Sequence, residues 1–180
     1  MDPYLNDRCP VYASFFGAMG CCCAIVLSNI GAAYGMAKSS IGISAVIHLP
    51  SLFPPPFHPY TSLTRSPTTD LLPIILSSVL SIFGLITSIL IASALVAPSA
   101  LHTNFLHLAA GLSVGLSCLA SGFSIGVIGD AGVRGAAMQP KMFVGMALML
   151  IFAEVLGLYG LIVALLMITQ ATAGATHCGP

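Results

Sequence analysis

Four apolar stretches, each long enough to cross a bilayer, constrain this chain of 180 residues more than anything else in it. They lie near Val11 to Tyr34, Leu72 to Ala97, Phe105 to Gly129 and Met142 to Thr169. Each meets the requirement of about 20 mostly apolar residues for spanning a hydrocarbon core about 30 Å thick. Backbone groups in lipid must be satisfied within the segment, so all four are predicted to be α-helices and the chain an all-α integral membrane protein. Composition agrees: 57% of residues are hydrophobic and only 6% charged, with a mean hydropathy of +1.02, against roughly 25% charged residues in soluble domains. A formal net charge of zero removes the basic surface that nucleic acid would need. The expected surroundings are membrane lipid.

The few charges set an orientation. Lys38 and Arg65 follow the first span and Arg134 and Lys141 the third, while Arg8 sits beside Asp2 and Asp7 on the other side. The positive-inside tendency then puts the loops between spans one and two and between three and four in the cytoplasm, with both termini lumenal or exterior. The opening MDPYLNDRCP is acidic and the apolar run after it is longer than a signal peptide needs, which predicts a retained helix. The expected organisation is a tail and helix within 1–46, a Pro-rich cytoplasmic loop over 47–71, helices over 72–97, 105–129 and 141–169, and a lumenal tail over 170–180. The loop, IHLPSLFPPPFHPYTSLTRSPTTD, is too rich in proline to continue a helix.

The two halves repeat. A shift of 76 positions lays FGLI at Phe83 to Ile86 on YGLI at Tyr159 to Ile162, and a shift of 95 lays Gly20, Cys23, Ile30 and Gly31 on Gly115, Cys118, Ile125 and Gly126. The chain therefore reads as two tandem helical hairpins of the same orientation. Small residues recur at three- and four-residue steps in span one (Ala13, Gly17, Gly20, Ala24, Ser28, Gly31, Gly35) and span three (Gly111, Gly115, Cys118, Gly122, Gly126, Gly129). Lipid supplies no hydrophobic drive between helices, so such stripes mark close packing. Spans two and four, bulkier in Leu, Ile, Met and Phe, suit a lipid-facing layer.

Within the fourth span stands one carboxylate, Glu154, the only acidic residue from Lys141 to Pro180. At ~1.5 Å per residue it lies ~20 Å along the helix from Lys141, too deep to reach water by snorkelling. A charge there costs roughly 2.5 to 3.5 kcal/mol on insertion scales, so intramembrane carboxylates are protonated, paired or on an ion path. Under the 76-position shift Glu154 falls on Ser78, so only one hairpin carries an ionisable group at that position. A carboxyl that is neutral in lipid and ionised beside a cation is a two-state proton carrier. No cofactor is expected, and a proton is the expected transported ion.

Other candidates are weaker. Ser77, Ser78, Ser81, Ser117, Ser121 and Ser124 could offer hydroxyls to a sodium ion, but intramembrane serines more often bond their own helix. Cys21, Cys22, Cys23 and Cys118 lie inside spans and are expected to pack rather than bind metal, while Cys9 and Cys178 could pair in an oxidising lumen. His48, His58, His102, His107 and His177 fall mostly in loops or at span ends, where solvated histidine is expected. Nothing supports catalysis by a nucleophile and base.

The strings CPVYASFFGAMG, GAAYGMAKSSIGIS, AAGLSVGLSCLASGFSIGVIGDAGVRGAA, QPKMFVGM and LIFAEVLGLYGLIVALL resemble the c-type proteolipids of V-type proton ATPases, including their close fungal paralogues. The resemblance covers most of the chain. It implies a four-helix member of a rotor ring of proteolipids, with spans one and three inside and two and four outside. It also implies that Glu154 matches the essential proton-binding glutamate. Each glutamate would take up a proton from one half-channel, cross the lipid protonated, and release it near an arginine of the large a-subunit in the membrane sector. The expected partners are the other proteolipids, that large membrane protein and the central stalk. The expected location is a vacuolar or other acidic endomembrane, with ATP hydrolysed elsewhere in the complex. Two features depart from the family: the Pro-rich segment replaces a short polar loop, and Phe83 stands where a tyrosine is usual. The competing expectations are a structural or pore-forming tetraspan protein that transports nothing, and a sodium-binding ring.

Overall fold

The computed structural model describes residues 10, 12–52, 71–95, 100–139 and 141–173. They form four α-helices: α1 Ala13–Leu52, α2 Leu72–Ala94, α3 Leu101–Met138 and α4 Met142–Ala173. All four are long and apolar enough to cross a membrane, and no strand occurs among the described residues.

The helices differ from the expected spans mainly in length. With 40 and 38 residues, α1 and α3 reach well beyond what a bilayer about 30 Å thick demands at 1.5 Å per residue. Span ends placed at Tyr34 and Gly129 therefore fall inside continuous helix. The two helices are held together past that point, because a side chain at Gly42 would meet Asp130 Cα at 2.8 Å. Likewise, positions 47–52, assigned to the Pro-rich loop, belong to α1. The rest of that loop, residues 53–70, lies outside the described residues, as do Cys9, Cys178, His58 and His177. Helix α2 starts after Leu71 with Pro73 in its first turn, where a missing N–H goes unnoticed. The α3 to α4 connection is short and is closed by the Met142 N–H donating to the Gln139 carbonyl at 2.9 Å, which makes the two helices antiparallel neighbours.

Helices α1 and α3 share the most extensive contact in the molecule, and they run parallel. A Cβ on Gly20 would lie 2.5 Å from the His107 carbonyl oxygen, and one on Gly31 would lie 2.5 Å from that of Cys118. Gly20, Gly31 and Gly42 are spaced by 11 residues, three helical turns, so their faces stay aligned over the whole contact. The packing is reciprocal: Gly111 faces the Gly20 carbonyl and Gly122 that of Gly31. Stacked rings flank the seam, Tyr34 on Phe123 at 4.6 Å and Phe16 on Phe105 at 4.8 Å. Helix α2 packs chiefly on α1, α4 chiefly on α3, and α2 touches α4 along a narrower line. The core contains Leu80, Ile91, Val114, Cys118, Ile125 and Leu150.

Candidate functional site

Glu154 projects from α4 about 18 Å from its first residue, at 1.5 Å per residue. Its surroundings follow from the residues on either side of it. Ala153, 4% exposed, faces α3, and its carbonyl accepts the Ser121 hydroxyl at 2.6 Å. Gly157, one turn on, has Leu80 of α2 2.7 Å from the position of a Cβ. Residues three apart share a side of a helix, so Glu154 lies on the part of α4 that meets α2. Both its carboxyl oxygens are buried and have no hydrogen-bond partner among the described residues.

The serines explain that isolation. Ser78 donates to Ile75, Ser81 to Ser78, Ser117 to Val114 and Ser124 to Ala120, each within its own helix at 2.7 to 3.0 Å. Ser77 and Ser121 donate across helices instead, to the carbonyls of Ala32 and Ala153. All six candidate hydroxyls are thus turned toward backbone carbonyls rather than toward Glu154. Phe83 is partly buried against the core that holds Leu80 and Ala153. A pocket of this kind leaves an ionised carboxylate without compensation and tolerates the neutral acid much better.

Cys21, Cys22, Cys23 and Cys118 are free thiols, with Cys21 Sγ against Ser88 Oγ at 2.7 Å. No group of three or more His, Cys, Asp or Glu comes together among the described residues. One expectation is corrected. His102 is exposed, but His107 is only 2% exposed and neither ring nitrogen has a partner among the described residues. Its position was readable, because His107 lies four residues before Gly111 and three after Asn104, which extends the packed stripe of α3 toward its N-terminus.

Comparison with known proteins places this architecture. A family profile described as the ATP synthase C subunit matches residues 108–167, which contain most of α3 and the Glu154 segment. The chain is 51% identical over 174 residues to the c-type proteolipid of the V-type proton ATPase of Candida tropicalis, covering 96% of this chain and 99% of that protein. The chain belongs to the V-type proton ATPase proteolipid family. It is also 52% identical over 161 residues to the human V-type proton ATPase 16 kDa proteolipid, with 89% of this chain and 96% of the relative aligned. To the c'-type proteolipid of the Eremothecium gossypii V-type proton ATPase it is 44% identical over 174 residues, 95% of this chain and 98% of that one. As a V-type proteolipid, the chain is an integral membrane protein of four helices whose buried carboxyl sits where two hairpins meet.

Proposed function

We propose that this chain is a proton-carrying proteolipid of the membrane sector of a V-type proton ATPase and that Glu154 is its reversible proton site. The observation that carries the proposal is the Glu154 carboxyl, buried without a hydrogen-bond partner among the described residues of an apolar helix, in a relative of proteins named for proton pumping. In such a pocket the neutral acid can travel through lipid, while a fixed cation presented from outside favours ionisation.

On this reading, copies of the chain and related proteolipids form a ring, with α1 and α3 inside and α2 and α4 outside. The ring turns against the large a-subunit, whose arginine meets Glu154 in turn, and it is driven through the central stalk. The chain itself hydrolyses no ATP. It resides in a vacuolar or other acidic endomembrane, with its termini lumenal and the loops after α1 and α3 cytoplasmic, as the positions of Lys38, Arg134 and Lys141 support.

The test is ATP-driven acidification of vesicles in which every copy of this proteolipid carries Glu154→Gln. The variant is expected to assemble and to pump no protons. Undiminished acidification would reject the assignment.

A further inference from the structure

Three serines, Ser113, Ser117 and Ser121, lie four residues apart on the face of α3 that meets α4. Opposite them α4 presents Gly160, against Ser117 and 3.0 Å from the Ser113 carbonyl at its Cβ position, and then Gly157 and Ala153. Ser113 and Ser117 bond back to Ala110 and Val114 of their own helix, at 2.8 and 3.0 Å. Only Ser121 of the three turns its hydroxyl across the seam, and it does so at the height of the buried carboxyl.

Its acceptor matters as much as the crossing. The Ala153 carbonyl and the Glu154 amide belong to one rigid peptide plane, so the 2.6 Å bond from Ser121 holds the plane from which Glu154 projects. Successive side chains on a helix are about 100° apart at 3.6 residues per turn. With Ala153 held against α3, Glu154 is turned about 100° round α4 from that contact, onto the side where Gly157 meets Leu80 of α2, with Cys118 of α3 within electrostatic reach and both its own oxygens buried. Ser121 itself is fully buried, so no water competes for its proton. The contact is close: the Gly157 Cβ position lies 3.6 Å from both Ser121 Cβ and Oγ.

We propose that Ser121 is a positioning residue for Glu154: its hydroxyl fixes the rotation of α4 at the carboxyl and thereby sets how readily that carboxyl exchanges its proton. This rests on the assignment of Glu154 as the proton site. Without the bond, α4 keeps its apolar packing but gains freedom to rotate, and the carboxyl samples surroundings other than the α2-facing pocket. The effect acts through orientation, because Ser121 gives its hydrogen to Ala153 and not to Glu154.

The experiment is the pH profile of carbodiimide labelling of Glu154 in chains reconstituted into lipid vesicles, which requires no pumping. Ser121→Ala is expected to move the midpoint by about 0.5 to 1 pH unit, a three- to ten-fold change in the protonation equilibrium. Ser121→Thr, which keeps a hydroxyl, is expected to restore it. Should Ser121→Ala fail to insert, Ser121→Cys, close in size but a weak donor, is expected to show the same displacement. An unmoved midpoint in the hydroxyl-free variants, or a displaced one that threonine leaves displaced, would overturn the proposal. Failure of the underlying reading looks different: Glu154→Gln would then pump normally whatever stands at position 121.

Discussion

Ser77 of α2 donates its hydroxyl to the carbonyl of Ala32 in α1 at 2.8 Å, joining two residues 45 positions apart. The repeat shift of 76 positions lays Ser77 on Ala153, so the two hairpins are tied at the same height but in opposite senses. In the first, the even-numbered helix donates; in the second, Ala153 accepts from Ser121 on the odd-numbered one.

Ser77→Ala removes the tie in the first hairpin and leaves the apolar packing in place. Hydrogen bonds between membrane helices contribute about 0.6 kcal/mol on average and up to about 1.7. Ser77→Ala is expected to lower unfolding stability in mixed micelles by about 1 kcal/mol and to leave the labelling of Glu154 unchanged.

Gly31→Ala tests the seam between α1 and α3. Its new Cβ would sit 2.5 Å from the Cys118 carbonyl oxygen and 2.7 Å from Leu119 Cα, both backbone atoms that cannot swing aside. The helices must separate, so loss of folded protein is expected on size-exclusion chromatography in detergent. Gly145→Ala, with nothing within 4 Å of its Cβ position among the described residues, is expected to behave as the native protein does.

Sodium is expected to give no protection. A bound cation needs several oxygens in one place, and the candidate serines direct their hydroxyls to carbonyls of Ala32, Ile75, Ser78, Val114, Ala153 and Ala120. Carbodiimide labelling of Glu154 at saturating sodium should match that in potassium. Strong slowing by sodium would revive the sodium-ring alternative.

Phe83→Tyr offers a hydroxyl from the part of α2 that packs against the core containing Leu80 and Ala153. A donor that reaches the carboxylate favours its charged form. Labelling of Glu154 at neutral pH is therefore expected to fall, whereas Phe83→Leu, which adds no donor, should leave it close to native.

Much of the fold was legible because lipid leaves so few choices. Long apolar runs can satisfy their backbone only as helices, and glycines such as Gly20, Gly31, Gly111 and Gly122 announce close approach by their spacing. The ends of α1 and α3 were not legible, since both helices persist through polar residues such as Lys38, Ser39 and Asp130 beyond the apolar stretch. Those turns are held by contacts between helices, as Gly42 with Asp130 shows, and hydropathy does not register them. His107 departs from expectation for the same reason: its residue type suggests a wet span end, but the face it shares with Gly111 turns it into the core.

By itself the sequence determined that this is a membrane protein of two tandem hairpins with one carboxyl, Glu154, deep in its last helix, because length, hydropathy and charge in lipid are properties of single segments. It could narrow the supporting polar residues only to a set of serines. Tertiary structure alone decided that Ser77 and Ser121 cross between helices while their neighbours bond at home, and that Glu154 is left without a partner among the described residues. The physical reason is that a serine hydroxyl can donate to its own helix or to a carbonyl opposite it. Which it takes depends on how closely the next helix approaches, and that distance is set by glycines and leucines far away in the chain.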